Sequence, residues 1–215
     1  QKENDVNLFF RCTISIKLDS LDLYWKRFKE KGDERCFSVI YNRLVDDLFS
    51  YGISMGFQKE NCKDAIQDTF YKLYVSRERL LEVQNITAYI FRMFKNRLLY
   101  IKGLHKEKES IEQYADTFSI QVTILDDLID SEKKELVKNK IERMLNSLSD
   151  NQKEVVYLKY MIGLQHREIA EILGIQEDSA RKQLHRIIKK LRDFSSENNL
   201  PEELALTFLL LSLFS

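Results

Sequence analysis

The residues whose chemistry is easiest to interpret lie between Arg181 and Arg192, where six Lys or Arg residues occur without an acidic residue. At 100° per residue, a helix over this segment places its apolar side chains within an arc of about 100°. The apolar set is Ala180, Leu184, Ile187, Ile188 and Leu191. The opposite side carries Arg181, Lys182, His185, Arg186, Lys189, Lys190 and Arg192. A helix that packs by one side and presents cations on the other suits the phosphates and base edges of DNA.

The segment before this helix supports the same interpretation. The sequence HREIAEIL predicts a short helix, and Gly174 and Ile175 separate it from the longer basic one. A short helix, a glycine turn and a longer helix are the elements of a helix-turn-helix motif, whose second helix enters the major groove. The alternative is a charged helix face that contacts only water.

A second basic helix is predicted from about Ile86 to Ile101 or a little beyond, with Ile90, Phe94, Leu98 and Ile101 as its core stripe. If the helix continues past Gly103, one sector of about 120° holds polar and basic residues. These are Arg92, Lys95, Asn96, Lys102 and Lys106, with Tyr89, Phe91 and Tyr100 nearby. Cations mixed with aromatic rings suit a nucleic-acid strand whose bases are partly unstacked. A solvated face above an aromatic core explains the pattern equally well.

A third set of polar residues shares one face of the predicted helix CKDAIQDTFYKLY. Its members are Asp64, Gln67, Asp68 and Tyr71, while Ile66, Phe70 and Leu73 form the apolar stripe. Acidic residues near a helix N-terminus complement the helix dipole, which explains Asp64 better than Asp68 because the effect fades after the first turn. We predict that Asn61 caps this helix.

The elements that would position these faces are helical throughout. One proline and six glycines favour helices over an all-β fold. Asp33 is a predicted N-cap for a helix that ends at Gly52 and Gly56, and its core stripe is Phe37, Ile40, Tyr41, Leu44, Leu48 and Tyr51. We therefore predict an all-α protein with two small helical bundles joined by an acidic linker. The predicted segments are an extension (1–20), a first bundle (21–106), the linker (107–131), a second bundle with the helix-turn-helix (132–195) and an apolar tail (196–215).

Composition excludes several classes of function. The 34 basic and 34 acidic residues balance, yet residues 136–195 carry 12 basic and 8 acidic residues, and residues 101–135 carry 5 and 9. Phosphate-binding glycine loops, nucleophile elbows and His/acid pairs at metal spacing are absent. The three cysteines are widely spaced, so we expect no metal, no disulfide and a reducing cytoplasm. We expect no enzyme activity, no cofactor and no membrane insertion, because the apolar run Leu204–Phe214 is about half a membrane span.

The order of these motifs over residues 21–194 resembles bacterial RNA polymerase sigma factors of the extracytoplasmic-function (ECF) group. YWKRFKEKGDERCFSVIYNRLVDDLFSYG is similar to the family's opening helices, and DAIQDTFYKLY to its polymerase-binding segment. ITAYIFRMFKNRLL resembles the promoter-melting helix. The segment from LSDNQKEVV to IIKKLR resembles the terminal helix-turn-helix domain.

The resemblance implies a transcription initiation factor that binds core RNA polymerase and promoter DNA, with an anti-sigma factor as the usual control. Its polymerase-binding residues would be Asp64, Ile66, Gln67, Asp68, Phe70 and Leu73. Its minus-ten promoter residues would be Arg92, Lys95, Asn96, Arg97, Lys102 and Lys106. Its minus-thirty-five residues would be Ser179, Arg181, Lys182, His185, Arg186 and Lys189, with Arg167 on the phosphate backbone. Glu177 and Asp178 would repel phosphate, so DNA is expected to approach from Arg181 onward.

Two other functions are compatible with parts of the sequence. A conventional helix-turn-helix transcriptional regulator would join its DNA-binding domain to an N-terminal sensor or dimerisation domain. Such a regulator has no need of the Asp64, Gln67 and Asp68 face, whereas a sigma factor does. An interaction protein with merely solvated basic helices fits less well, because charge divides cleanly across the helix 181–192.

Overall fold

The computed structural model describes residues 21–80, 82–106, 118–120 and 131–197, and within these ranges every regular element is a helix. The α-helices are α1 (21–31), α2 (Glu34–Ser54), α3 (Lys59–Val75), α4 (Ile86–Lys106), α5 (Ser131–Asn146), α6 (Asp150–Val156), α7 (His166–Leu173) and α8 (Glu177–Glu197). A short 3-10 helix spans Arg77–Arg79. The predicted all-α class is thus confirmed. The N-terminal extension, most of the acidic linker and most of the apolar tail lie outside the described residues.

The chain divides into two compact units. The first comprises Gln1–Ala115 and residues 171–173, and the second comprises Asp116–Ala170 and Gly174–Ser215. Among the described helices, none is long and apolar enough to cross a membrane.

The first unit is built around aromatic side chains that α1, α2 and α4 bring together. Trp25, Phe28, Tyr51, Phe91 and Phe94 are each at most 1% exposed. Large rings in close contact remove much apolar area from water, and tilted pairs such as the Tyr51 and Phe91 rings, 5.5 Å apart, add a favourable ring–ring term. This core fixes the positions of α3 and α4, which carry the predicted site residues.

Two long-range hydrogen bonds attach α1 to the start of α4. The Trp25 indole N–H donates to the Val83 carbonyl at 3.1 Å. The backbone N–H of Ile86 donates to the Asp22 carboxylate at 3.1 Å, and Ala88 N–H donates to the Asn85 side chain at 2.8 Å. The bonds from Ile86 and Ala88 satisfy backbone donors that the first turn of a helix otherwise leaves without partners. The N-terminus of α4 is therefore held by Asp22, 64 positions away, and the Trp25–Val83 bond fixes the chain just before it.

The ends of α2 and α3 differ in part from the predictions. Asp33 caps α2 as predicted, since its carboxylate accepts from the N–H groups of Arg35 and Cys36. Gly52 does not end α2: the helix continues to Ser54, and Gly56, with φ 82°, lies beyond it. Asn61 lies inside α3, whose N-cap is Gln58. The predicted stripe of α2 is also too wide, because Tyr41 is 38% exposed.

Gly52 has a packing reason to be inside a helix. A Cβ atom at this position would lie 2.6 Å from Cys62 Sγ and 3.0 Å from Phe94 Cζ. Its missing side chain therefore lets α2 approach both α3 and α4 closely. Burial raises the pKa of the Cys62 thiol to about 11, so this cysteine packs as a neutral side chain.

The second unit contains the predicted helix-turn-helix. Ser149 and Gln152 form a capping box that opens α6. The helix continues through a π-helical turn, Tyr157–Met161, and Phe118 packs edge-on against the Tyr157 ring at 5.5 Å. Gly174 ends α7 in the left-handed conformation, with φ 67° and ψ 34°. Left-handed backbone at this turn is readily adopted by glycine, as the sequence predicts.

Candidate nucleic-acid and polymerase interfaces

The outer face of α8 presents every predicted minus-thirty-five residue to solvent. Four apolar residues of the predicted stripe, Ala180, Leu184, Ile187 and Leu191, are at most 8% exposed, and Ile188 is half-buried. With that stripe fixed against the second unit, the other side of the helix must face outward. The exposed residues are Ser179, Arg181, Lys182, His185, Arg186 and Lys189 on α8, and Arg167 on α7. The arrangement offers cations and hydrogen-bond donors on one helix face.

The first turn of α8 carries an internal ion pair. A guanidinium nitrogen of Arg181 lies 3.1 Å from Glu177 Oε1, and both side chains are exposed. Helical spacing of four residues permits this contact. The pair orients the Arg181 guanidinium along the helix surface while it lowers the local positive charge. His185 and Arg186 lie one turn further from these acidic residues.

The start of α7 contains His166, whose imidazole is partly buried. Burial lowers the pKa of His166, and the positive charges of Lys159 and Arg181 lower it further. The backbone N–H of Gln165 donates to the Glu168 carboxylate, which closes the N-terminal turn without a Ser or Thr cap. The lowered pKa favours the neutral form of His166, so the positive charge of this surface comes mainly from the Arg and Lys side chains.

The six residues on α3 that the resemblance assigns to polymerase binding divide into an outer and an inner group. Asp64 and Gln67 are exposed, and Asp68 is partly exposed. Ile66, Phe70 and Leu73 are at most 4% exposed and belong to the core of the first unit. The inner three hold α3 in place and offer almost no surface to a partner. The outer three lie beside Tyr71, which is 67% exposed.

A groove of about 750 Å³ runs between α2 and α3 next to this outer group. Its lining is mainly aromatic and aliphatic, with Asp46, Lys63 and Gln67 as polar members. The other lining residues are Phe37, Tyr41, Val45, Phe49, Ile66, Phe70, Tyr71 and Tyr74. Apolar surface flanked by charges is typical of a protein-binding surface. The sequence did not indicate the α2 side of this groove, because Phe37 and Tyr41 belong to the predicted buried stripe of that helix.

The predicted minus-ten residues lie on two different sides of α4. Arg92 and Asn96 are exposed, and Lys95 and Lys102 are partly exposed. The Lys106 side chain lies outside the described residues. Phe91, predicted close to this surface, is completely buried and has no face left for a base. Tyr100, by contrast, is 56% exposed.

Arg97 lies on the side of α4 that faces α3. Its guanidinium is 2.5 Å from Asp68 Oδ2, so the structure joins one residue of the predicted polymerase set to one of the predicted minus-ten set. The Arg97 guanidinium carbon also lies 5.3 Å from the centre of the Tyr100 ring, which is cation–π distance. Among the described side chains, Arg97 Nε is a buried donor that lacks a hydrogen-bond partner.

These residues form part of a groove of about 450 Å³ between α3 and α4. Its lining residues are Asp68, Thr69, Lys72, Met93, Asn96, Arg97 and Tyr100. The groove combines an aromatic ring, a thioether, an amide, a hydroxyl and two cations with the Asp68 carboxylate, which pairs with Arg97. The aromatic ring and the amide can hold a planar polar ring, and Lys72 can hold an attached anion. Lys72 and Met93 were missed from the sequence, because neither lies on the predicted polar faces and only the packing of two helices brings them together.

Comparison with known proteins gives a consistent result. A protein-family model described as Sigma-70, region 4 matches residues 138–191. The ECF RNA polymerase sigma factor SigM of Bacillus subtilis (strain 168) is 24% identical over 162 residues, which cover 71% of this chain and 91% of SigM. The ECF RNA polymerase sigma factor SigW of the same organism is 25% identical over 186 residues, covering 78% and 96%.

A solved structure described as CnrH in complex with the cytosolic domain of CnrY shares the fold. It superposes with a TM-score of 0.53 at 18% identity and covers 82% of this chain and 97% of that one. The region 4 match and the alignment of both relatives over most of their length support an RNA polymerase sigma factor of the ECF group.

Proposed function

We propose that this chain binds core RNA polymerase, directs it to specific promoters and helps to open the DNA, without catalysing a reaction itself. Sigma factors are transcription factors that are not enzymes. The observation that carries the proposal is the outer face of α8. All six predicted contact residues on this helix are exposed there, and the opposite side of the helix is a continuous buried stripe. In this proposal the protein acts in the cytoplasm with the polymerase.

The second unit, from about residue 132 to 195, would bind the minus-thirty-five element. Arg186 and His185 are exposed beyond the Glu177–Arg181 ion pair, and Arg and Lys side chains there can pair with guanine edges or with phosphates. Arg167, also exposed, would contact the phosphate backbone. Phosphate contacts would supply most of the salt-dependent affinity, and base contacts the sequence preference.

The first unit, residues 21–106, would bind the minus-ten element as a partly unpaired strand. The groove between α3 and α4 has the chemistry for an unstacked base: the Tyr100 ring for stacking, the Asn96 amide for a base edge and Lys72 for a phosphate. Arg92, Lys95 and Lys102 would carry the rest of the strand along the neighbouring side of α4. Lys106 would extend this path at the end of the helix.

Polymerase would bind the outer face of α3 and the adjoining α2–α3 groove. Asp64, Gln67 and Asp68 supply the polar contacts there, and Tyr71 supplies exposed apolar area. Exposed aromatic residues beside charged ones are the composition of binding hot spots. An anti-sigma factor is the regulatory partner that the similarity to ECF sigma factors suggests.

A conventional helix-turn-helix regulator is the second candidate, since the second unit alone would serve it. It predicts DNA binding that does not depend on core polymerase. The sigma factor predicts promoter-dependent transcripts only when both are present.

Run-off transcription with purified core polymerase, with and without the full chain, tests the proposal. We expect discrete transcripts only in the mixture. A double variant, Asp64→Ala with Gln67→Ala, should lower polymerase binding and transcript yield at unchanged helix content. Lys31→Ala, an exposed change outside these faces, is the matched control. Absence of transcripts from a genomic promoter library would contradict the proposed sigma factor function. Unchanged polymerase binding by the double variant would contradict the assignment of the α3 face to polymerase.

A further inference from the structure

The Tyr100 ring is exposed, yet a neighbouring cation lies over it. Arg97 is three residues earlier on α4, and its guanidinium carbon is 5.3 Å from the ring centre. A base that stacks on this face of the ring needs the same space, because stacking and cation–π contacts both use the face of an aromatic ring. The Arg97 side chain and a stacked base therefore exclude each other on this face.

Asp68 holds Arg97 in this position from the other helix. The 2.5 Å contact joins a carboxylate on α3 to a guanidinium on α4, at a site where Arg97 is 29% exposed and Asp68 40%. The buried Arg97 Nε has no partner, so the side chain forgoes one hydrogen bond in this arrangement. A donor left without a partner costs free energy that another conformation can recover. The ion pair with Asp68 is what opposes that change.

We infer that Asp68 and Arg97 form a gate that closes one face of Tyr100 in the free protein. This inference rests on the proposed function, in which Asp68 belongs to the polymerase-binding face and Tyr100 to the strand-binding groove. A polymerase group that engages Asp68 removes the partner of Arg97. The guanidinium then leaves the ring and becomes available to a phosphate. Binding of polymerase and binding of an unpaired base are thereby coupled, and by linkage each favours the other.

Loss of a cation ordinarily weakens binding to nucleic acid, but the gate predicts that loss of the Arg97 cation strengthens it. The probe is a fluorescein-labelled single-stranded DNA 12-mer of mixed sequence, titrated with the full chain at about 50 mM salt and followed by anisotropy. Arg97→Gln and Asp68→Asn should each bind about three to ten times more tightly than wild type, since each removes the cover of one aromatic face. An Arg97 that served as an ordinary phosphate contact would instead lose affinity when neutralised.

Tyr100 provides the test of mechanism. Tyr100→Ala should weaken binding about tenfold through loss of stacking. In the double variant with Arg97→Gln, the gain from Arg97→Gln should disappear, because there is no ring left to uncover. Lys95→Gln, a cation lost from the other side of α4, is the matched control and should weaken binding. Helix content and the urea midpoint of each variant confirm that the first unit remains folded.

The holoenzyme tests the coupling. With core polymerase in excess, Asp68 is already engaged, so wild type and Asp68→Asn should bind the 12-mer within about twofold of each other. The gate is overturned if free Arg97→Gln binds the 12-mer no more tightly than free wild type does. The same holds if neither protein binds the 12-mer. A gain that survives in the double variant also overturns it. Loss of run-off transcription by the wild-type holoenzyme would instead contradict the proposed function.

Discussion

The two helices that the sequence assigns to DNA, α4 and α8, have the same length and different surroundings. Each spans 21 residues. α8 buries a single stripe of five residues, Ala180, Leu184, Ile187, Leu191 and Ser195, and leaves its basic side open. α4 buries residues on more than one side, with Phe91 inside the core as well as the predicted Ile90, Phe94 and Leu98.

The ion pairs of the two helices differ in the same way. Arg181 pairs with Glu177 on its own helix, a contact that the sequence spacing allows. Arg97 pairs with Asp68 on a different helix, 29 positions away in the chain. The Arg181 cation on α8 is therefore held by a neighbour in sequence, whereas the Arg97 cation on α4 is held by a contact that packing creates. The three predictions that follow test this difference.

The largest expected effect is a difference in stability between alanine variants of two aromatic residues on α4. Phe91→Ala should lower the free energy of unfolding by about 3–5 kcal/mol, because it leaves a cavity in the core. Tyr100→Ala should leave that free energy within about 0.5 kcal/mol of wild type, since the ring is largely exposed. Urea unfolding followed by circular dichroism measures both. A similar loss of unfolding free energy in the two variants would show that Phe91 and Tyr100 do not lie on separate core and binding sides of α4.

An intermediate effect concerns two cations of α8. If Arg186 pairs with a base, Arg186→Ala should weaken binding to DNA duplexes selected by the holoenzyme by about 1–3 kcal/mol. It should also relax the base preference at one position of the DNA site. A uniform loss across sequences, with a shallower salt dependence, would assign Arg186 to phosphate instead. Binding is measured by anisotropy on selected and scrambled duplexes.

Lys190→Ala is the matched control on the same helix. The Lys190 ammonium donates to the Ser147 carbonyl, so its loss should change the stability of the second unit more than its DNA affinity. An effect on affinity equal to that of Arg186→Ala would mean that total charge on α8, and not the position of each cation, determines binding.

The smallest effect compares two glycines in opposite backbone conformations. Gly174→Ala should destabilise the second unit by about 1–2 kcal/mol, because its φ of 67° strains a residue with a Cβ even though space is open there. Gly103→Ala should stabilise α4 by up to about 1 kcal/mol, since helical alanine loses less entropy and the added Cβ meets no atom within 4 Å. Thermal unfolding of each variant gives the two signs. If both variants were stabilised, or both destabilised, the result would contradict the backbone conformations assigned to Gly174 and Gly103.

The sequence by itself determined the helices and most of the buried stripes. The caps at Asp33 and Ser149, the turn at Gly174 and the open basic face of α8 follow from interactions between residues a few positions apart, which periodicity and capping preferences report directly. The predicted end of α2 at Gly52 was wrong, because the reason for that glycine is contact with Cys62 and Phe94 on other helices.

Only the tertiary structure decided how the candidate sites on α3 and α4 are assembled. The burial of Phe91, the α3–α4 groove with Lys72 and Met93, and the Asp68–Arg97 contact all depend on which sides of α3 and α4 meet. That choice is set by the combined packing of Tyr51, Phe91 and Phe94 in one core, and no local pattern encodes it. A helix with one apolar stripe can be oriented from its sequence, but a helix that packs on several sides requires its neighbours.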